Sequence, residues 1–186
     1  MRKILFAVVI GLIGAALLHL IIILALPRFS DRDAFQRVDM LGDEDTFHLL
    51  DGSKEGGGLL NGDPYLSTAV CAFDLADMPV HLTAGGRVPF WSLAIYDKAS
   101  NEVFSMSDRT SVGGALDVLV ASPVQLTGIR KMLPAALSQS ILVEMPEGQG
   151  YAVLRTMAPQ ASFEDGGHAF LAAAQCDAFD AGSAAD

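Results

Sequence analysis

The chain opens on an uncharged run from Ile4 to Leu26, preceded by Met1, Arg2 and Lys3. Wound as a helix at 1.5 Å per residue it covers about 34 Å, slightly more than the roughly 30 Å of bilayer hydrocarbon. His19 is its one strongly polar side chain. No acidic residue in the run can pair with it, so it reads as a tolerated neutral imidazole. A cleaved signal peptide has a shorter apolar core and small residues at its cleavage site. Here the run leads into Ala25-Leu26-Pro27-Arg28-Phe29. The pattern predicts an uncleaved transmembrane anchor that contacts the bilayer through residues 4–26 and is ended by Pro27. Ala7, Gly11 and Ala15 recur every fourth residue, beside Gly14. That spacing lets two membrane helices approach closely and makes a homodimer or a membrane-protein partner an expectation.

Past the anchor the spacing changes. Phe35, Val38 and Leu41 sit three apart between polar residues, which predicts a separate short amphipathic helix over Ser30–Leu41, capped by Ser30 or Asp31. Asp51–Gly58 contains four glycines and reads as a loop. It lacks the flanking strand and helix, and the placed Lys-Ser/Thr, of a phosphate-cradling loop. From Leu66 onward short apolar runs predict strands. Leu66–Leu75 carries Ala69, Cys71, Phe73 and Leu75 on one parity, and Pro79–Thr83 follows. Phe90–Tyr96 is apolar on both parities, which predicts a strand covered on both sides at the centre of a sheet. Asp97–Asn101 reads as a turn and Glu102–Met106 as the return strand of a hairpin. Leu116–Ala121 and Gln139–Met145 are further strands, the latter followed by Tyr151–Met157 across a Pro146–Gly150 turn.

Two helices interrupt the strands. Ser122-Pro123 supplies an N-cap and a first-turn proline, ahead of an apolar stripe at Val124, Ile129 and Met132 that ends by Pro134. Asp165 is expected to cap a second helix holding Phe170, Leu171 and Ala172–Ala174. The last ten residues read as frayed. The expected fold is β-rich α+β: an antiparallel, jelly-roll-like sandwich with flanking helices, preceded by one N-terminal transmembrane helix. The expected segments are 1–27 (cytoplasmic stub and anchor), 28–58 (amphipathic helix and Gly-rich loop), 59–178 (β-rich domain) and 179–186 (tail).

Composition narrows the class. The 186 residues are 51% hydrophobic and 18% charged, with a mean hydropathy of +0.38, far from a disordered or collagen-like chain. Twelve basic residues against 22 acidic ones leave a net charge of -10, so no basic footprint for nucleic acid exists. Lys and Arg are nearly balanced across the anchor, with Arg2 and Lys3 on one side and Arg28, Arg32 and Arg37 on the other. Ten of the 12 basic residues and all 22 acidic ones follow the run. A large domain crosses largely regardless of charge, and the expected orientation places the amino terminus inside and the domain outside the cytoplasm.

Candidate chemistry is sparse. Cys71 and Cys176 are the only cysteines. They form no Cys-x-x-Cys, and two thiols alone do not make a structural zinc site. In an oxidising compartment they are expected to pair as a disulfide, against the alternative of two buried thiols. His19, His48, His81 and His168 show no metal-ligand spacing, and no nucleophile elbow is present. No catalytic, metal or cofactor residues are assigned. The most suggestive polar cluster is Phe104–Thr110 beside the aromatic strand, comprising Trp91, Tyr96, Asp108 and Arg109. An Arg there would grip a carboxylate through its two-pronged guanidinium. The plainer alternative has Asp108 and Arg109 ending a strand.

Pro89-Phe-Trp-Ser-Leu-Ala-Ile-Tyr-Asp97, with Asn101-Glu-Val-Phe-Ser-Met-Ser-Asp-Arg109, resembles small membrane-anchored alphaproteobacterial proteins of the domain-of-unknown-function family numbered 1254. Ala69-Val-Cys-Ala-Phe-Asp-Leu75, Ala172-Ala-Ala-Gln-Cys176 and the anchor ending in Leu26-Pro-Arg28 resemble it too. The resemblance implies a bacterial inner-membrane setting and a β-rich, jelly-roll-like fold like that of larger two-domain relatives. It brings no activity, cofactor or catalytic residue. Two functions are therefore expected to compete: a periplasmic binding or scaffolding module of the cell envelope, and a membrane-tethered hydrolase-like enzyme acting on an envelope or small carboxylate compound. A pocket gathering the Trp91–Arg109 cluster with a His would favour the enzyme. A sandwich filled by side chains would favour the module.

Overall fold

Alternating apolar residues in nine short strands, counted among the described residues, pair into two sheets that close over one another. The computed structural model describes residues 2–50, 63 and 65–180, without the side chains of 26–33. The Asp51–Gly58 loop and most of the 179–186 tail lie outside the described residues. The elements are α1 (Arg2–Asp39), β1 (His48–Leu50), β2 (Leu66–Asp74), β3 (Val80–Ala84), β4 (Trp91–Asp97), β5 (Glu102–Ser107), β6 (Leu116–Ala121), α2 (Pro123–Lys131), β7 (Ile141–Glu144), β8 (Gln149–Met157), α3 (Glu164–Ala172) and β9 (Gln175–Ala178). One sheet has the order β1-β2-β8-β4-β5 and the other β7-β6-β3-β9. Every pairing is antiparallel except β6 with β7. The β-rich α+β sandwich with flanking helices is thus the observed architecture.

The N-terminal helix corrects the sequence expectation. Pro27 does not end it, and no second helix starts at Ser30; α1 runs unbroken to Asp39. A proline inside a helix removes one hydrogen bond and costs about 3 kcal/mol. Apolar helix formers on one side and a docked final segment on the other hold the helix through it. Arg2–Ala25 is long and apolar enough to cross a membrane, and its large side chains, from Ile4 to Leu24, are exposed. At the other end Phe35 and Val38 are buried against Val70, Ala72, Tyr151 and Val153 on the outer face of the first sheet, with Leu41 beside them. The three-apart stripe is therefore a docking face, each large side chain worth about 1.5–3 kcal/mol when covered.

The main core lies between the sheets. Cys71, Phe73, Leu82, Leu93, Ile95, Val118, Val120 and Leu154 are essentially inaccessible there. β4 lies between β8 and β5, and β8 holds the middle of the five-stranded sheet. Its inner parity, Trp91, Leu93, Ile95 and Asp97, is buried, while Ser92, Ala94 and Tyr96 are only half-covered. The expectation of a strand covered on both faces at the sheet centre is corrected accordingly. The Pro146–Gly150 segment also closes no hairpin. β7 runs beside β6 in one sheet and β8 lies between β2 and β4 in the other. The segment thus carries the chain across the sandwich, tied by the Leu75 N–H donating to the Gly148 carbonyl at 2.7 Å. Gly150 is required at its end, because a Cβ there would strike the Tyr96 carbonyl and the Met145 side chain.

The helices show what local signals reveal. Ser122 accepts from the Gln125 N–H, and the Gln125 side chain accepts in return from the Ser122 N–H at 2.9 Å, a reciprocal capping box. The buried face of α2 is Leu126 and Ile129. Val124 and Met132, expected in the stripe, are 83% and 82% exposed, because the helix lies over β6 and β7 on its 126–129 side. In α3 Asp165 sits within the first turn, and the N-cap is Phe163, without a side-chain hydrogen bond. The last ten residues, expected to fray, begin ordered: Asp177 and Ala178 belong to a strand. This is edge strand β9, paired with β3 from Thr83 to Val80, and the Phe179 N–H donates to the Pro79 carbonyl at 2.7 Å.

Cys71 on β2 and Cys176 on β9 form a disulfide, with Cα atoms 6.7 Å apart and a sequence separation of 105. The bond joins the two sheets. In the chain-entropy picture a loop of this size contributes up to about 4.7 kcal/mol. Replacing both cysteines by alanine should lower unfolding stability by about 2–5 kcal/mol in denaturant titration. Unreduced protein unfolded in denaturant should resist thiol alkylation until a reductant is added.

Candidate functional site

The cluster expected from the sequence does not converge. Trp91 points into the core, 1% exposed. Its Nε1–H donates to the Gly114 carbonyl at 2.9 Å and its ring stacks on Phe170 at 6.5 Å. Tyr96, five residues on, faces out of the opposite side of β4 and stacks on Tyr151 at 5.1 Å. The Tyr151 hydroxyl donates to Ser100 Oγ at 3.1 Å. Asp108 follows β5, and its N–H donates to the Trp91 carbonyl at 3.2 Å. Its Oδ1 is buried with no hydrogen-bond partner among the described residues. Arg109 is exposed in the loop beyond. Trp91 and Asp108 are therefore neighbours through backbone, while Tyr96 and Arg109 lie elsewhere.

The Tyr96-Asp97 end of the same string is hairpin chemistry. Asp97 is buried, and its carboxylate accepts from the Asn101 N–H and from Asn101 Nδ2, both at 2.8 Å. Ser100 takes the left-handed conformation, φ 62°, that closes the turn.

A different grouping emerges on the outer face of the first sheet, beyond the area covered by α1. The register puts Arg155 of β8 beside Ser92 of β4, and Ser92 beside Ser107 of β5. One row further along, Val153, Ala94 and Ser105 align. Arg155, Ser92, Ser107, Ala94 and Ser105, with Tyr96, Glu102 and Thr110, line a shallow open concavity of about 400 Å³. No hydrogen bond or ion pair among the described residues engages the Arg155 guanidinium or the Ser92 and Ser107 hydroxyls. Thr110 is held by its own turn: its hydroxyl donates to the Ser107 carbonyl and accepts from the Ser107 N–H, both at 3.0 Å. Sequence reasoning missed Arg155, although its place between apolar Leu154 and Thr156 on a strand marks it as outward-facing.

Two further titratable groupings sit away from this face. On the outer side of the second sheet, His81 Nε2–H donates to Asp117 Oδ1 at 2.8 Å, and the imidazole packs edge-on to Phe179. The hydroxyl of Thr83, next along that face, donates to Gln175 Oε1 at 3.3 Å. The pair thus braces β3 to β6 with no nucleophile bonded to the imidazole. At the β1 and β9 side of the sandwich, burial raises the Asp45 carboxyl above its ordinary range, and the charges of Asp177 and Asp74 raise it further. Glu44 is raised by burial and then by Asp39, Asp74 and Asp45. Among the described residues no group of three or more His, Cys, Asp or Glu is placed to hold a metal ion.

No protein-family model matches the sequence, and no match is found among curated proteins. Among solved structures, the VPA0106 protein from Vibrio parahaemolyticus is similar with a TM-score of 0.59 and 12% identity, over 82% of this chain and 37% of that one. An uncharacterised protein from Burkholderia cenocepacia aligns with a TM-score of 0.49 and 11% identity, over 81% of this chain and 41% of that one. The chain spans well under half the length of either. The first likeness establishes a shared fold and nothing of function.

Two outcomes follow from this geometry. Trp91→Ala should cost about 3–5 kcal/mol of unfolding stability, as the loss of a large core aromatic does. A cost under about 1 kcal/mol in denaturant titration would remove Trp91 from the core. Asp45→Asn should stabilise the protein by less than about 1 kcal/mol, because the carboxyl is partly solvated. Asn also tolerates the φ of 56° found there. A carboxyl raised on folding contributes stability below its ordinary pKa that is lost as pH rises through the raised value. The advantage of Asp45→Asn over the parent should therefore grow with pH through the mildly acidic range and then level off, as read by thermal unfolding across pH.

Proposed function

We propose that this protein is a single-pass module of the bacterial inner membrane that displays a non-catalytic, β-rich binding domain in the periplasm. The observation that carries the proposal is the buried Cys71–Cys176 bond between the sheets. Structural disulfides persist in oxidising compartments such as the periplasm. A helix long and apolar enough to cross a membrane directly precedes the domain. The resemblance of the Phe90–Asp97 string to membrane-anchored proteins supports the same placement.

Binding is favoured over catalysis by how the sandwich is filled. Trp91, Leu93, Phe73 and Leu154 occupy its interior, so the residues of the aromatic strand are spent on packing. The open concavity on the outer face is shallow and lined by hydroxyls, one guanidinium, one carboxylate (Glu102) and a few apolar side chains. Such a surface suits a ligand: its one carboxylate, Glu102, accepts from the Ser105 hydroxyl at 2.7 Å, and no histidine is among its lining residues to complete a catalytic set.

A reporter active only outside the cytoplasm, fused after Asp186, should be active, and a cytoplasm-only reporter at the same place silent. The reverse pattern overturns the periplasmic placement.

A further inference from the structure

Arg155, Ser92 and Ser107 form one row across three neighbouring strands, β8, β4 and β5. Adjacent strands lie about 4.8 Å apart, so the row offers a hydrogen-bonding group at each strand over roughly 10 Å. Each of the three polar groups is without a partner among the described residues. Ser105, by contrast, donates to Glu102 Oε1 at 2.7 Å. Apolar surface flanks the row at Ala94, with Tyr96 one step further along the strand.

We infer that this row is a binding site for a carboxylated saccharide, the uronate carboxylate seated on Arg155 and neighbouring sugar hydroxyls on Ser92 and Ser107. The inference rests on reading the domain as a binding module. A guanidinium presents a planar fork that matches a carboxylate. A serine hydroxyl both donates and accepts, as a sugar hydroxyl requires. The Glu102 carboxylate lines the same concavity but accepts from the Ser105 hydroxyl, so the row itself offers one cation with two neutral hydroxyls, which suits a ligand carrying one charge per unit. The row offers a densely charged polyanion a single positive charge, on a protein whose net charge is -10. Arg109, on the loop beyond β5, takes no part in the row.

The test is calorimetric titration of the full chain in nonionic detergent with trigalacturonate, with the neutral galactose trisaccharide and with inorganic phosphate. Trigalacturonate should bind with a sub-millimolar Kd, and the other two at least tenfold more weakly. Arg155→Gln should weaken trigalacturonate binding about tenfold or more, and Ser92→Ala with Ser107→Ala several-fold. Arg109→Gln should leave it unchanged. An intact Cys71–Cys176 bond and an unshifted thermal transition show that each variant is folded. Failure of trigalacturonate to bind at millimolar concentration, undiminished binding by Arg155→Gln, or phosphate binding as tightly each overturns the inference. Such a failure leaves the periplasmic module standing, since that is decided by the fusion reporters, which do not involve Arg155.

Discussion

Edge strand β9 has four residues and one strand neighbour, β3. Its few ladder bonds are all that regular pairing offers, and a strand so short is weakly held. The bond from Cys176 to Cys71 fastens it instead to β2, in the opposite sheet. The consequences spread from there. With the chain's end pinned, α3 lies across β2 and β8, and Phe170 and Leu171 are buried in the core between the sheets. Phe170 stacks on Trp91, and Trp91 reaches the Gly114 carbonyl. The last strand, the last helix, the aromatic hairpin and the loop before β6 are thus connected through one covalent constraint and the packing that follows from it.

The outer faces are finished differently. On the first sheet the outward residues of β2 and β8 are apolar where α1 docks, at Val70, Ala72 and Val153. Where that cover ends, the outward residues become Ser92, Ser105, Ser107 and Arg155. On the second sheet, Leu119 and Leu142 lie under Ile129 of α2, with Leu137 and Phe179 alongside. The polarity of each face therefore follows the reach of the helix above it. The hydroxyl-lined shelf is the part of the first sheet that α1 leaves open.

Much of this was legible in the sequence, and the limits fall where pairing is non-local. β6 was readable to the residue, and β2, β3, β4 and β5 to within two, because alternation and turn residues are local signals. The Ser122-Pro123 cap was readable for the same reason. β1, three residues of unremarkable composition, and β9, in an Ala-rich tail, carried no signal because they exist only through their partners. Alternation in Ile141–Glu144 and Gln149–Met157 reports that strands form, not which sheet each joins; a hairpin was the simpler reading and the crossing to the other sheet was invisible. The α2 stripe failed at Val124 and Met132 because a nine-residue helix covers one narrow strip, and period alone does not choose among its apolar residues.

The same limit governs the site. Around Trp91 aromatic and charged residues crowd together in sequence. In space two of the polar groups of that stretch are consumed by the fold: the indole N–H on Gly114, and the Asp97 carboxylate on Asn101. A buried polar group satisfied in this way is architecture. Arg155, Ser92 and Ser107 make no side-chain bond among the described residues, and the register gathers them from three strands. Arg155 stands 63 positions after Ser92, and only the pairing of β8 with β4 makes them neighbours. Its spacing to Arg109 and Tyr96 along the chain predicts nothing, because a strand pattern specifies which face a side chain occupies and leaves its neighbours to the register. The polar row on this sheet face is therefore encoded in the pairing, and it becomes visible only once β8 is seen to lie between β2 and β4.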